Sequence, residues 1–249
     1  MTASAQPSAQ TGPQPTVVLV HGAFADASSW NGVIQRLQQQ GCTVVAPANP
    51  LRGLSVDSAY LASVVNQLDG PVLLVGHSYG GAVITNAAAT ATGVVGLVFV
   101  AAFAPDESER LGEVEGNSTD SILNTALVQR QYPTGQDGET AVEFAINPTR
   151  FREAFAADLP AEQTAVMAAT QRPVAASAFT DASGPPAWKT LPSWAVVATG
   201  DKAAGSDVVR SMAQRAGADI VEVEGSHVIM VSQPQAVTSL ILKAVHALS

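Results

Sequence analysis

The chain has 249 residues, of which 47% are hydrophobic and 13% charged, and 12 Lys and Arg against 21 Asp and Glu give a formal net charge of −9. A chain of this length and apolar content can fold as one large domain, and its single cysteine excludes both a disulfide framework and a cysteine-rich zinc site. The acidic balance argues against a nucleic-acid-binding surface and against binding to an anionic membrane.

The first fifteen residues, 1–15, consist mainly of Ala, Ser, Gln, Thr, Pro and Gly. This composition predicts a disordered tail. The segment has neither the basic nor the apolar region of a secretory signal. No run in the chain approaches the roughly 18 apolar residues of a membrane-spanning helix. We therefore expect a cytoplasmic protein with no membrane partner.

From residue 16 onward, short β-branched runs alternate with segments whose apolar residues recur at helical spacing. This alternation predicts an α/β protein with a parallel sheet and helical crossovers. The predicted strands are residues 16–20, 43–46, 71–75, 94–101, 194–198 and 220–223. The predicted helices are residues 30–37, 60–68, 82–91, 207–216 and 237–245.

The segment 105–191 interrupts this alternation. It has acidic and Gly/Asn/Ser-rich portions, helical patterns near residues 122–128 and 161–169, and a turn-rich end. A segment this long exceeds a single crossover. We therefore predict a helical cap at 105–191, inserted into one core made of residues 16–104 and 192–249. Ordinary crossover helices are the alternative.

Residues 76–80 read Gly-His-Ser-Tyr-Gly and directly follow an apolar strand. In a G-x-S-x-G pattern the strand turns sharply into a helix and the central residue, here Ser78, takes a strained backbone conformation. Side chains two positions before and after it would collide, which is why both are glycine. The turn presents the Ser78 hydroxyl at a helix N-terminus that favours developing negative charge. Ser78 is the predicted nucleophile.

A second motif, His21-Gly22-Ala23-Phe24, follows the first strand. A serine nucleophile requires backbone N–H groups directed at the oxyanion of the tetrahedral intermediate. We predict that the N–H of Tyr79 supplies one donor and that of Ala23 the other, with Phe24 as the second choice. We expect His21 to brace this loop by hydrogen bonding.

The general base must be one of four histidines. The side chain of His77 should point away at the turn, His21 precedes the oxyanion loop, and His246 lies in the last predicted helix. His227 lies in a loop directly after the last strand, from which its imidazole can reach over the sheet. We predict His227 as the base.

The carboxylate that orients His227 has three candidates. Asp201 follows the strand 194–198, at the edge where open parallel sheets place their sites. It also gives the chain order Ser, Asp, His that accompanies a G-x-S-x-G turn. Asp106 follows the fourth strand closely, and Asp207 resembles the N-terminal cap of a helix. We favour Asp201 and keep Asp106 and Asp207 as alternatives.

At these residues the sequence resembles the α/β-hydrolase superfamily. The resemblance is carried by His21-Gly22, residues 76–80, Thr199-Gly200-Asp201 and Gly225-Ser226-His227, and it extends over residues 16–248. Within this superfamily the sequence resembles the small-esterase branch that includes plant methylsalicylate-type esterases and hydroxynitrile lyases. This implies a core with a helical cap over the pocket. Two antiparallel strands usual at the start of such folds are not predicted, so we expect a six-stranded, mainly parallel sheet.

Two departures from the lyase pattern favour an esterase. Hydroxynitrile lyases of this branch carry a threonine after the first-strand histidine and a lysine after the catalytic histidine, whereas this chain has Gly22 and Val228. Dehalogenases and most epoxide hydrolases of the superfamily attack with an aspartate, and Ser78 stands in that position.

We therefore predict a serine esterase that cleaves a small carboxylic ester through an acyl-enzyme. The reaction requires no metal and no organic cofactor, and the expected partner is the small-molecule ester, with the protein a monomer or homodimer. The same triad would serve thioester, lactone or peracid chemistry, and a ligand-binding receptor on a hydrolase scaffold is a non-enzymatic alternative. We expect an apolar pocket lined by Phe24, Phe103, Phe144 and Trp188.

Overall fold

The computed structural model describes residues 12–135 and 138–249. The tail predicted at residues 1–15 lies mostly outside them. The strands are β1 (Thr16–Val20), β2 (Val44–Val45), β3 (Val72–His77), β4 (Val94–Val100), β5 (Leu127–Pro133), β6 (Thr140–Ile146), β7 (Val174–Ala175), β8 (Ser193–Ala198) and β9 (Asp219–Val223). The α-helices are α1 (Asn31–Gln39), α2 (Leu54–Val65), α3 (Tyr79–Ala88), α4 (Leu111–Gly116), α5 (Pro148–Phe155), α6 (Ala161–Thr170), α7 (Ser177–Thr180), α8 (Ser206–Arg215), α9 (Ile229–Ser232) and α10 (Pro234–Leu248).

The core is a six-stranded sheet in the order β2-β1-β3-β4-β8-β9, in which every neighbouring pair is parallel. The predicted α/β class and the predicted sheet are confirmed. Residues of β3 and β8 are buried throughout, as expected for strands covered on both faces. Helices α1 and α10 pack together on the sheet, as do α2 and α3. The connections through α1 and α2 run in opposite directions along the sheet, so the right-handed crossover rule places these two helices on opposite faces.

The strand order reverses at β1. The chain moves from β1 outward to β2 and then returns to β3 on the other side of β1. At such a switch point the loops that leave the two inner strands diverge and open a crevice outside their carboxyl ends. The loop after β1 and the turn after β3 therefore face the same crevice.

The segment between β4 and β8 differs from the helical cap that the sequence predicts. It contains α4 to α7, but also an antiparallel three-stranded sheet in the order β5-β6-β7. The predicted helix near residues 122–128 is a short 3-10 helix, Leu123–Thr125, followed by β5. Leu127 pairs with Ile146 of β6. Strand formation here depends on a partner distant in sequence, which local helical spacing does not reveal.

The part of the chain that the structure describes contains no helix of sufficient length and apolar character to span a lipid bilayer.

Candidate active site

Ser78 lies at the turn between β3 and α3. Its backbone has φ 53° and ψ −124°, a conformation that a non-glycine residue adopts only under strain. The two flanking glycines are required by close contacts. A Cβ on Gly76 would lie 2.5 Å from the carbonyl oxygen of Gly80, and a Cβ on Gly80 would lie 2.5 Å from that of Val20. Both distances are far shorter than ordinary contacts, so the strained turn forms only with glycine at these two positions.

His227 and Asp201 follow the two neighbouring strands β9 and β8. Nδ1 of His227 lies 2.7 Å from Oδ2 of Asp201, and both side chains are fully buried. The other carboxylate oxygen accepts hydrogen bonds from the backbone N–H groups of Ala203 at 2.9 Å and Ala204 at 3.0 Å. These contacts fix the direction of the carboxylate, which in turn fixes the orientation of the imidazole.

The two alternative acids lie elsewhere. Asp106 is partly exposed and forms an ion pair with Lys189. Asp207 lies in the first turn of α8, whose N-cap is Gly205, and its carboxylate accepts hydrogen bonds from Ser118 and Thr119. Desolvation raises the pKa of Asp207, but these hydrogen bonds outweigh it and lower the pKa to about 2. The carboxylate in contact with His227 is therefore that of Asp201.

Ser78 and His227 line one small cavity of about 10 Å³. Within the described residues no hydrogen bond joins the Ser78 hydroxyl to the His227 ring, which is common before a substrate binds. Ala23, Phe24 and Tyr79, whose backbone N–H groups were predicted as oxyanion donors, line the same cavity. The structure thus brings the loop after β1 to the nucleophile turn.

The cavity wall is otherwise apolar. The remaining lining residues are Phe103, Leu123, Phe155, Phe179, Ala203 and Ala204. A space of this size holds about one water molecule. An ester can therefore enter only when neighbouring side chains move.

The predicted pocket residues divide into three groups. Phe24 and Phe103 line the cavity beside Ser78. Phe144 lines an adjacent cavity. Trp188 lines neither; it is buried elsewhere, with its indole N–H donating to the carbonyl oxygen of Pro105 at 2.9 Å. That bond satisfies its only polar group and holds the ring against the segment after β4, so Trp188 is a packing residue.

His21 braces the loop after β1. Its Nε2 accepts a hydrogen bond from the backbone N–H of Asn49 at 2.9 Å, and its Nδ1 lies 2.9 Å from the carbonyl oxygen of Gly22. The Asn49 side chain donates in return to the His21 carbonyl at 3.0 Å. Burial lowers the pKa of His21 to about 4. The neutral ring therefore acts as a fixed bridge, as the sequence predicts.

The sequence predicts that the side chain of His77 points away from the site. In the structure it packs against the loop that carries His227. Its Nε2 is 2.9 Å from the backbone carbonyl oxygen of His227, and the two rings lie 4.6 Å apart between centroids. Burial keeps the pKa of His77 well below its ordinary value, so the ring is neutral and donates through Nε2–H. This bond joins the strand before Ser78 to the loop that carries His227.

Two further acids hold the site, and sequence reasoning missed both. Asp57 of α2 is fully buried and accepts a hydrogen bond at 2.7 Å from the hydroxyl of Tyr79. Asp158 accepts hydrogen bonds from the backbone N–H and hydroxyl of Ser226, next to His227. A signal for Asp57 existed, because it lies three residues after Leu54 and so falls on the apolar face of α2. Asp158 had no comparable signal.

Comparison with solved structures shows the same fold. Polyneuridine aldehyde esterase superposes with a TM-score of 0.78 at 21% identity, covering 93% of this chain and 99% of that one. A methylesterase from Arabidopsis gives 0.75 at 20% identity, covering 93% and 98%. A pyrethroid hydrolase from Sphingobium faniae JZ-2 gives 0.74 at 20% identity, covering 94% and 98%.

Among curated protein sequences, none matches the chain. A profile of the alpha/beta hydrolase family matches residues 17–240. This range includes the loop after β1, the Ser78 turn and the loops that carry Asp201 and His227. The resemblance drawn from the motifs is confirmed, and the chain belongs to the alpha/beta hydrolase family.

Proposed function

We propose that the protein is a serine hydrolase of small carboxylic esters in which Ser78, His227 and Asp201 form the catalytic triad. One observation carries the proposal. A serine held at a strained strand-to-helix turn shares a cavity with an imidazole whose Nδ1 meets a buried carboxylate. The structural neighbours named as an esterase, a methylesterase and a pyrethroid hydrolase support it.

In the acylation step, Oγ of Ser78 attacks the ester carbonyl while Nε2 of His227 takes its proton. The short contact with Asp201 keeps the hydrogen of the imidazole on Nδ1, which leaves Nε2 as the base. The carboxylate also stabilises the imidazolium as it forms. The backbone N–H groups of Tyr79 and Ala23 hold the oxyanion, with Phe24 as the second choice for the latter.

The tetrahedral intermediate then collapses. His227 returns the proton to the alkoxide, which leaves as the alcohol, and the acyl group remains on Ser78. A water molecule deprotonated by His227 attacks this acyl-enzyme, and the acid departs as the Ser78 hydroxyl is restored. The apolar walls contributed by Phe103 and Phe155 reduce the competition of bulk water for the developing charge.

The test is turnover of p-nitrophenyl acetate by a Ser78→Ala variant. We expect a loss of about 10³-fold or more, as for other serine triads. Ser63→Ala is the matched control, because Ser63 is exposed on α2 and should leave the rate unchanged. A fluorophosphonate should label the unmodified protein at Ser78 and spare the variant. Undiminished turnover by Ser78→Ala would refute the proposal.

A further inference from the structure

A second cavity, of about 300 Å³, lies next to the cavity beside Ser78. Leu123 and Phe179 line both spaces, so these two side chains form the partition between them. The smaller cavity cannot hold an ester, as its volume shows. Movement of the partition would join the two spaces, and the larger one would then receive one arm of a substrate whose carbonyl lies at Ser78.

Glu115 of α4 gives the second cavity its chemical character. The residue lines the cavity and is 6% exposed. Its carboxylate accepts hydrogen bonds from the hydroxyl of Ser121 and from the side-chain amide of Asn124, the latter at 2.5 Å. Burial raises the pKa of Glu115, and these two hydrogen bonds oppose the rise. Both donors are neutral.

No cation of the described chain neutralises this carboxylate. Among residues 12–135 and 138–249, no lysine, arginine or histidine forms an ion pair with Glu115 at a nitrogen–oxygen distance of 4.0 Å or less. Buried carboxylates are normally paired with a positive charge, because desolvation of an isolated charge is costly. By contrast, Glu143 of β6 pairs with Arg52 at 3.0 Å.

Two aromatic rings complete the cavity wall. Phe144 of β6 and Phe179 of α7 lie 6.2 Å apart between centroids, with 65° between their planes. The rings contact each other edge to face and so form one continuous aromatic wall. The face of an aromatic ring attracts an organic cation. A carboxylate beside such rings adds charge complementarity, and Leu123 and Leu127 contribute apolar surface to the same cavity.

We propose that this second cavity is a substrate subsite for a substituted ammonium group, with Glu115 as its anionic partner and Phe144 and Phe179 as its aromatic walls. The inference rests on the proposed esterase function, since it identifies the class of ester that the site prefers: one that carries a permanently charged or basic nitrogen in its acyl or alcohol part.

The first test measures binding and needs no turnover. Choline chloride is titrated into the protein by calorimetry, with 3,3-dimethylbutan-1-ol as its uncharged isostere. We expect choline to bind and the neutral alcohol to bind at least about tenfold more weakly. Glu115→Gln, which keeps the side-chain size, should remove the difference. Glu113→Gln, exposed on the same helix, should leave binding and turnover unchanged.

A second variant keeps this test decisive if Glu115→Gln fails to fold. Phe144→Leu retains an apolar wall but removes one aromatic face, and it should weaken choline binding several-fold while leaving the neutral alcohol little affected. Absence of choline binding, or equal binding to the Glu115→Gln and unmodified proteins, overturns the subsite.

The second test measures turnover as a ratio of kcat/KM values. The substrates are two isosteric pairs of esters. The first pair is acetylcholine and 3,3-dimethylbutyl acetate, and the second is methyl 4-(trimethylammonio)butanoate and methyl 5,5-dimethylhexanoate. We expect the charged ester of at least one pair to be preferred by about tenfold, and Glu115→Gln to abolish that preference. Hydrolysis of all four esters without a charge preference refutes the subsite and leaves the esterase standing. Choline binding without any ester hydrolysis supports the subsite and refutes the esterase.

Discussion

The hydrogen bond between Tyr79 and Asp57 offers a direct test of how the nucleophile turn is held. Both side chains are buried, at 1% and 0% exposure, and the phenol oxygen lies 2.7 Å from Oδ2 of Asp57. The backbone N–H of Arg52 also donates to this carboxylate, at 3.0 and 3.2 Å to its two oxygens. Burial and the charge of Asp57 both raise the pKa of Tyr79 well above its ordinary value, so the phenol remains a donor at all working pH values.

Tyr79→Phe removes the phenol oxygen and leaves the backbone of the turn intact. A hydrogen bond to a charged group contributes about 1.5–3 kcal/mol, so the free energy of unfolding should fall by about 2 kcal/mol. For a domain of this size that corresponds to a Tm lower by roughly 4–8 °C.

The assay is urea unfolding of Tyr79→Phe, Asp57→Asn and the double variant, so that a thermodynamic cycle isolates the pair. We expect a coupling energy of at least about 1 kcal/mol, as for other buried contacts. Tyr60→Phe is the matched control, because Tyr60 lies on α2 with 42% of its surface exposed. A Tyr79→Phe protein as stable as Tyr60→Phe, with additive double-variant values, would show that the bond does not hold the turn.

Two more predictions concern the loop after β1. Burial lowers the pKa of His21 from 6.5 to about 4. Between these pH values the unfolded chain binds more protons than the folded one. The free energy of unfolding therefore falls as pH decreases through this window, by about 3 kcal/mol in all. His21→Gln should flatten the pH dependence of the free energy of unfolding by urea in this window. The control is His246→Gln, at an exposed position. The same pH dependence in both variants would contradict the prediction. Gly22→Ala places a Cβ 2.7 Å from Cβ of Ser78 and 2.8 Å from the carbonyl oxygen of His77. We expect a loss of about 1–3 kcal/mol of stability and slower hydrolysis of p-nitrophenyl acetate, whereas wild-type values for both would refute the contact.

Much of the core followed from local pattern. Apolar β-branched runs such as Thr16–Val20 and Val72–His77 form strands because they suit a sheet covered on both faces. The Ser78 turn was predictable because its geometry depends on Gly76 and Gly80, which lie only two positions away in the sequence. The region 105–191 was harder to predict. Its strands β5 and β6 form through pairing with each other, and residues 122–128 alone suggest a helix.

Long-range contacts decided the details around the site. Asp106, Asp201 and Asp207 all follow or flank predicted elements at the correct edge, and only the folded chain shows that Asp201 meets His227. His77 was expected to point away, but the packing of the β9 loop over β3 brings its Nε2 to the carbonyl of His227.

The sequence by itself determined the class of the fold, the nucleophile turn and the histidine that stands after the last strand. These depend on periodicity and on short-range steric limits, which are properties of neighbouring residues. The tertiary structure alone decided which carboxylate contacts that histidine, that Asp57 holds Tyr79, and that Glu115, which forms no ion pair within the described residues, lines a cavity next to the one beside Ser78. These depend on side chains that come from distant segments and meet only when the sheet, its helices and the inserted segment pack together.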